Sequence, residues 1–433
     1  MQLTIEKLIY GGDGLARLPA DDRGRGKAVF VPFVLEGETV TASLMEQKPG
    51  FARGSADDIL TPSAHRIEPH CPYFMRCGGC HYQHSSYQHQ LEIKAAILRE
   101  NLRRIAKLEL DIELKIHASP EWGYRNRSRF AVQFEPQFGL CYRKFNSHQL
   151  LPVEQCPISS PLVNQALQAL WTMGRAGELP NGIREIELFA DADDRNLLIE
   201  AYCGEETLKT TIEKWGRDCQ SRMQAILGVV AFENRNSDSP SLAKKEEFAS
   251  VGGKGIEYKA LMKSYRVTAG SFFQVNRHLI DQLVHLVTDG RSGSTALDLY
   301  AGIGLFSSVL NRDFQRVIAV EPSPTSYSDL LYNSAPNVKA VNATTEQYLK
   351  SVSGKLRPDF VVVDPPRSGL SSDALRGLTS LNAPQITYIS CDPATLARDL
   401  RQLLNSGYQL RQAHLIDLFP QTFHIESVVH LAR

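Results

Sequence analysis

The feature that most narrows the fold is a change of texture near residue 264, after which short apolar runs alternate with helical patterns to the end of the chain. The runs are TALDLYAG, RVIAVEPS, KAVNA, DFVVVDPP and QITYISCDP, and a closing pair follows the last helix, YQLRQAHLIDLFP and HIESVVHLAR. Strands separated by helix-length segments cannot be joined by hairpins. The alternation therefore predicts a doubly wound, mostly parallel sheet.

A chain of 433 residues has room for more than that one unit. Residues 1–60 read as short strands around a Gly-rich turn, GGDGLARL, and predict a small OB-like β-barrel. Such barrels serve as nucleic-acid platforms or as plain structural modules, and the pattern does not separate the two. Next, Leu91, Ala95, Leu98, Leu102 and Ile105 fall on one face of a helix whose other face is basic. Further on, EIELFADADDRNLLIEAYCG reads as a hairpin, PLVNQALQALWTMGRAG as a helix and NSDSPSLAKKEE as an exposed loop. The expected architecture is a multidomain α/β protein. It has an N-terminal barrel at 1–60, a β-rich α+β central unit at 61–89 and 112–260, and a Rossmann-like domain at 90–111 and 261–433.

Charge excludes little, because 48 Lys and Arg balance 48 Asp and Glu, so a polyanionic partner has to be argued from local patches. One such patch is 122–145, where Arg125, Arg127, Arg129, Arg143 and Lys144 interleave with Trp122, Tyr124, Phe130 and Phe134. It reads equally as an RNA-binding face or as an amphipathic hairpin with a solvated basic side. No apolar run approaches the roughly 18 residues of a membrane span, and the first residues lack a signal-peptide pattern. A soluble, cytoplasmic, monomeric protein without a membrane partner is expected.

Eight cysteines are too few to staple a chain of this length. Cys71, Cys77 and Cys80 form C-x5-C-x2-C, and Cys156 in EQCP offers a fourth thiolate. That set suits an iron–sulfur cluster or a zinc ion, with His81 and His84 as further candidate ligands. A different cysteine, Cys391, lies between the strand QITYIS and the helix beginning DPATL. A nucleophile suits that place, where a helix N-terminus can favour the thiolate, although a lone strand-end cysteine also serves as a small core residue.

The turn after TALDLYAG has the layout of a nucleotide-cofactor site, one that NAD enzymes share. Asp298 ends a strand, Gly302 and Gly304 open the next helix, and Glu321 stands at the following strand tip, where a carboxylate can accept both hydroxyls of a ribose. A G-x-G without a third glycine favours a nucleoside cofactor lacking pyrophosphate. Asp364 ends FVVVD, and the prolines after it set the turn that carries it into the cleft.

Four stretches resemble the bacterial uridine-5 RNA methyltransferases: SFFQVN (271–276), DLYAGIG (298–304), VVDPPRSG (362–369) and ITYISCDPATLARDL (386–400). The ending DLFPQTFHIESVVHL is similar to that family's C-terminal pattern. The resemblance implies S-adenosylmethionine as methyl donor, Cys391 as nucleophile, Glu426 as base, and Gln274, Tyr300, Glu321 and Asp364 near the cofactor. The chemistry agrees, because carbon 5 of uracil attacks a sulfonium methyl only after a thiolate has added at carbon 6. Arg367 stands where amine-methylating relatives carry an aromatic residue, and Leu305 departs from relatives with an asparagine there. The resemblance also implies a TRAM domain at the N-terminus, a [4Fe–4S] cluster on Cys71, Cys77, Cys80 and Cys156, and an RNA substrate, with 23S rRNA foremost. The cluster's expected role is structural, with redox sensing as the rival. A tRNA T-loop uridine is the alternative substrate, and a non-catalytic, cluster-bearing RNA sensor is the alternative of another class.

Overall fold

A computed structural model describes residues 1–19, 26–234 and 245–433. Most of NSDSPSLAKKEE lies outside them. The chain opens with β1 (Gln2–Thr4), β2 (Lys7–Leu8), β3 (Asp13–Arg17), β4 (Ala28–Pro32), β5 (Thr39–Gln47) and β6 (Phe51–Thr61), a six-stranded sheet in the order β1-β5-β6-β4-β3-β2. Alternating residues Val29, Val31, Val40 and Ala42 turn inward onto Leu3, Ile5 and Val34. Gly14 is required there, since a Cβ would lie 2.4 Å from Val34 and 2.8 Å from Ile5. Leu8 and Leu35 leave this core and pack with Tyr82 into the core of the C-terminal sheet. The barrel is docked on the rest of the molecule by apolar burial.

Helix α1 (Tyr87–Asn101) buries Leu91, Ala95 and Leu98, and continues into a wider π-turn, Leu102–Ala106, that rests on the last helix of the chain. Lys94, one turn after Leu91 at the edge of the apolar face, is fully buried, with Nζ 2.6 Å from the Asp417 carboxylate. Strand β7 (Leu114–His117) also differs from the pattern reading, which placed it in the central unit. It pairs in parallel at the edge of the C-terminal sheet.

The central unit is a seven-stranded sheet of β8 (Arg127–Gln133), β9 (Gly139–Arg143), β10 (Leu150–Pro152), β11 (Ile183–Ala190), β12 (Leu197–Cys203), β13 (Ile226–Asn234) and β14 (Lys245–Gly252). The expected hairpin is β11 and β12 in antiparallel register. Helices α2 (Pro161–Arg175) and α3 (Lys209–Arg222) supply Leu167, Leu170, Ile212 and Trp215 to its core. A hairpin, β15 (Gly255–Ala260) and β16 (Lys263–Thr268), then leads into the last unit.

That unit holds α4 (Ile280–Thr288), β17 (Gly293–Leu299), α5 (Ser307–Leu310), β18 (Phe314–Val320), α6 (Pro324–Asn333), β19 (Val338–Val341), α7 (Thr345–Val352), β20 (Phe360–Val363), α8 (Ser372–Ser380), β21 (Gln385–Ser390), α9 (Pro393–Asn405), β22 (Gln409–Ile416) and β23 (Glu426–Ala432). Its sheet runs β19-β18-β17-β20-β21-β23-β22-β7, with β17 to β21 parallel and β23 antiparallel to its neighbours. The order reverses between β17 and β20, so the cleft opens at the C-terminal ends of those strands. The helix expected after Gly304 is only α5, because residues 302–306 are spent in turns.

Candidate active site

Each strand around the cleft ends in one polar side chain. Asp298 of β17 is buried and accepts from the Ser307 amide at 3.0 Å, which closes the 300–306 turn. Tyr300, Gly302 and Gly304 all take positive φ (64°, 56° and 89°). At Gly304 a Cβ would meet Leu330 at 2.7 Å, so helix α6 leaves no room for a side chain. Glu321, just past β18, accepts from the Gly302 amide at 2.9 Å and the Ser323 amide at 2.7 Å. Both oxygens are thereby oriented, each with a lone pair left for a ligand hydroxyl. Burial pushes the carboxyl of Glu321 up, and that of Asp298 up to about 7.

Asp364 and Cys391 follow β20 and β21, and Glu426 opens the neighbouring, antiparallel β23. The antiparallel register pairs Ser390 with Ser427, which sets Cys391 and Glu426 side by side where their strands meet. Asp364 follows Val363, which is paired with Tyr388 of β21. The thiol of Cys391 is pushed up to about 12 by burial and by Glu426 and Asp364, against the pull of Arg367. Glu426 is itself raised well above the usual carboxylate range by burial and by Asp364, and burial takes Asp364 up to about 7. Burial of both carboxyls and the repulsion of Asp364 on Glu426 favour their protonated forms. The expected help from a helix N-terminus is largely spent elsewhere. Asp392 caps α9, accepting from Ala394 at 3.0 Å and Thr395 at 2.9 Å, so the cap carboxylate takes up two of the helix's free amides.

Gln274 comes from SFFQVN, a segment held in place by the central unit. Arg127 donates to the Ser271 carbonyl at 2.6 Å and Asn126 to that of Val275 at 2.9 Å. Neither of the two readings of the 122–145 patch, an RNA face or a solvated basic side, holds for the arginines of β8. Arg127 is engaged by Glu187 and, at 2.6 Å, Glu200. Arg129 pairs with Glu187 at 2.6 Å and lies over the Tyr202 ring. Tyr124 and Phe130 are fully buried. A buried guanidinium must be paired, and the partners come from β11 and β12, which the spacing of the arginines cannot reveal. Arg143 and Lys144 remain exposed.

The cysteines of the second site do converge. Cys71, Cys77, Cys80 and Cys156 line one cavity of about 480 Å³ together with Tyr142 and Arg125. The amide of Gly78 bonds to the Arg143 carbonyl at 3.0 Å, and that of Cys156 to the Asn164 side chain at 2.8 Å, so the loop and EQCP are held separately. Burial and the neighbouring thiols push up Cys80, and Cys77 up to about 11. Among the described residues no three His, Cys, Asp or Glu side chains are set to hold a metal ion. His81 and His84 do not line the cavity: His81 packs on Phe423, and His84 on Phe74. Sequence reasoning missed Tyr10, whose hydroxyl reaches the Cys391 carbonyl from the barrel, for no local signal marks it.

A doubly wound sheet with one reversed strand, a Gly turn after β17 and an oriented carboxylate at the tip of β18 fits the class of α/β enzymes that bind a nucleoside cofactor. A family model described as tRNA (Uracil-5-)-methyltransferase matches residues 86–433, and the TRAM domain model matches residues 1–56. The chain belongs to the uracil-5 RNA methyltransferase family. It is 34% identical to an uncharacterized RNA methyltransferase of Aquifex aeolicus, covering 100% of this chain and 98% of that one. It is 30% identical to the 23S rRNA (uracil(1939)-C(5))-methyltransferase RlmD of Shewanella frigidimarina, covering 99% and 95%. The crystal structure of Pyrococcus abyssi tRNA (uracil-54, C5)-methyltransferase with S-adenosyl-L-homocysteine superposes over 100% of both chains, with a TM-score of 0.77 at 23% identity, and shares the fold. Among the described residues no helix is long and apolar enough to cross a membrane.

Proposed function

We propose that this enzyme methylates carbon 5 of a uridine in 23S rRNA, with Cys391 as nucleophile and Glu426 as base. The observation that carries the reading is the register that sets Cys391 beside Glu426, with Asp364 on the adjoining strand. The uridine must leave its stack to reach that cleft, so a single-stranded or loop target is expected. The Cys391 thiolate adds to carbon 6, carbon 5 then takes the methyl group, and S-adenosylhomocysteine leaves. Glu426 accepts the carbon 5 proton, and the electrons of that C–H bond restore the ring double bond as the Cys391 sulfur departs. Gln274, Tyr300, Glu321 and Asp364 hold the methyl donor, with the oriented oxygens of Glu321 receiving its ribose. The full-length likeness to 23S rRNA enzymes supports that substrate over tRNA.

We infer that the four-cysteine cavity holds the [4Fe–4S] cluster that the family resemblance implies, in preference to zinc. What supports it is that all four cysteines line one cavity, and that thiols crowded there need a strongly positive group to remain thiolates. Bound there, the cluster would tie Cys71, Cys77 and Cys80 to Cys156 and brace the central unit.

Arrest of the cycle tests the mechanism. Glu426→Gln with unmodified 23S rRNA transcript and methyl-labelled S-adenosylmethionine should accumulate a denaturation-resistant, labelled protein–RNA adduct, because carbon 5 keeps its proton and elimination is blocked. Adding Cys391→Ala should abolish it. A Glu426→Gln enzyme that turns over near the wild-type rate, or is inactive without adduct, overturns the assignment. Label accepted by tRNA but not by 23S rRNA overturns the substrate.

A further inference from the structure

Tyr10 belongs to the barrel, in the turn between β2 and β3, yet its side chain reaches the methyltransferase unit. Its hydroxyl donates to the main-chain oxygen of Cys391 at 3.2 Å. Its ring meets that of Phe423 edge-on, with centroids 5.4 Å apart. Phe423 lies in the loop that delivers Glu426, where its ring also packs on His424 at 4.3 Å and His81 at 4.6 Å. One side chain thus touches both the turn that carries Cys391 and the loop that leads to Glu426.

The barrel around Tyr10 is anchored. Leu8 packs into the C-terminal core, Lys7 pairs with Glu100 of α1, and Gly12 abuts the His81 ring, which an added Cβ would meet at 3.0 Å. The backbone beside Cys391 is restrained as well. Ser390 Oγ donates to the Asp392 carbonyl at 3.0 Å and accepts from the Asp392 amide at 3.2 Å, while Asp392 caps α9. Tyr10 adds a hold on the carbonyl of Cys391 itself. Turning that peptide would swing Sγ away from the uracil, and a displacement of about 1 Å at a reacting atom can cost on the order of a hundredfold in rate.

We infer that Tyr10 is a positioning residue for the methyl-transfer reaction: the barrel, besides any contact with RNA, sets the Cys391 turn and braces the Glu426 loop. The inference rests on Cys391 being the nucleophile. Tyr10 touches no reacting atom, so its effect should fall on the rate of covalent addition and not on RNA affinity.

The test uses the full-length enzyme and a 23S rRNA transcript containing 5-fluorouridine, whose fluorine cannot leave as a proton does and which therefore traps the adduct. Tyr10→Phe keeps the ring on Phe423 and removes the hydroxyl. Its rate of adduct formation, and its kcat on unmodified transcript, should both fall on the order of tenfold to a hundredfold. The KM for RNA should stay within about twofold. An unchanged adduct rate, or a raised KM with unchanged kcat, overturns the inference, the latter making Tyr10 an RNA contact. Lys7→Met, which loosens the barrel from α1 but leaves Tyr10, should form adduct at nearly the wild-type rate. A loss equal to that of Tyr10→Phe would reduce the effect to general loosening and also overturn it. Cys391→Ala in parallel separates the two readings, because adduct formed by that variant would refute the nucleophile itself.

Discussion

At Cys391, burial and the carboxyls of Glu426 and Asp364 favour the protonated thiol, and the Arg367 guanidinium opposes them. The reaction needs the thiol ionised for addition, and later an ionised Glu426, whose affinity for its proton is also raised. Both shifts are upward, so the reactive forms of both groups grow as pH rises. The single-turnover methylation rate is therefore expected to climb between about pH 6 and about pH 9 without an early plateau. Asp364→Asn removes a repelling carboxylate from both neighbours, so its normalised profile should move to lower pH even though its absolute rate falls. A flat profile, or a move to higher pH, would contradict this electrostatic arrangement. Individual residues were legible to the extent that a local motif marks them: Cys391 and Asp364 stand at strand ends followed by characteristic turns. The charges that hold Cys391 in its thiol form were not, because Glu426 is 35 residues further along the chain.

Helix α1 shows how an element outside the methyltransferase sheet shapes the cleft. Its apolar face was legible from the spacing of Leu91, Ala95 and Leu98, whereas the partner of Lys94 was not: the lysine pairs inside with Asp417 and also donates to the Phe419 carbonyl at 2.9 Å. Gln90, one turn earlier, accepts from the Gln421 amide at 3.0 Å and donates to its side chain at 2.9 Å. The helix thus grips the 417–421 stretch that leads to Glu426. Lys94→Met leaves Asp417 buried without its cation and should cost roughly 3–5 kcal/mol in urea unfolding. Lys94→Met with Asp417→Leu removes both charges and should recover most of that loss. A single variant within about 1 kcal/mol of wild type would show that water or another group satisfies Asp417. The arginines of β8 follow the same logic, for their carboxylates come from β11 and β12 and turn an apparent nucleic-acid face into an interior network.

Across the whole molecule, the proposed cluster lies where the cysteine loop joins the central unit. Protein purified without oxygen should be brown, with about four irons per chain, and Cys156→Ser should lose both the iron and several degrees of melting temperature. Stoichiometric zinc with no iron would overturn the cluster. By itself the sequence determined the elements and their sense. The alternation after residue 264, the Gly turn at 302–304 and the strand-end positions of Asp298, Glu321, Asp364 and Cys391 follow from local periodicity and turn chemistry, which act over a few residues. Only the tertiary structure decided which side chains meet. The capture of β7 by the C-terminal sheet, the interior pairing of Lys94 and Arg127, and the reach of Tyr10 from the barrel to Cys391 join residues dozens to hundreds of positions apart. Burial selects such pairs for their complementary charge and shape once the chain has folded, and no local pattern encodes that choice.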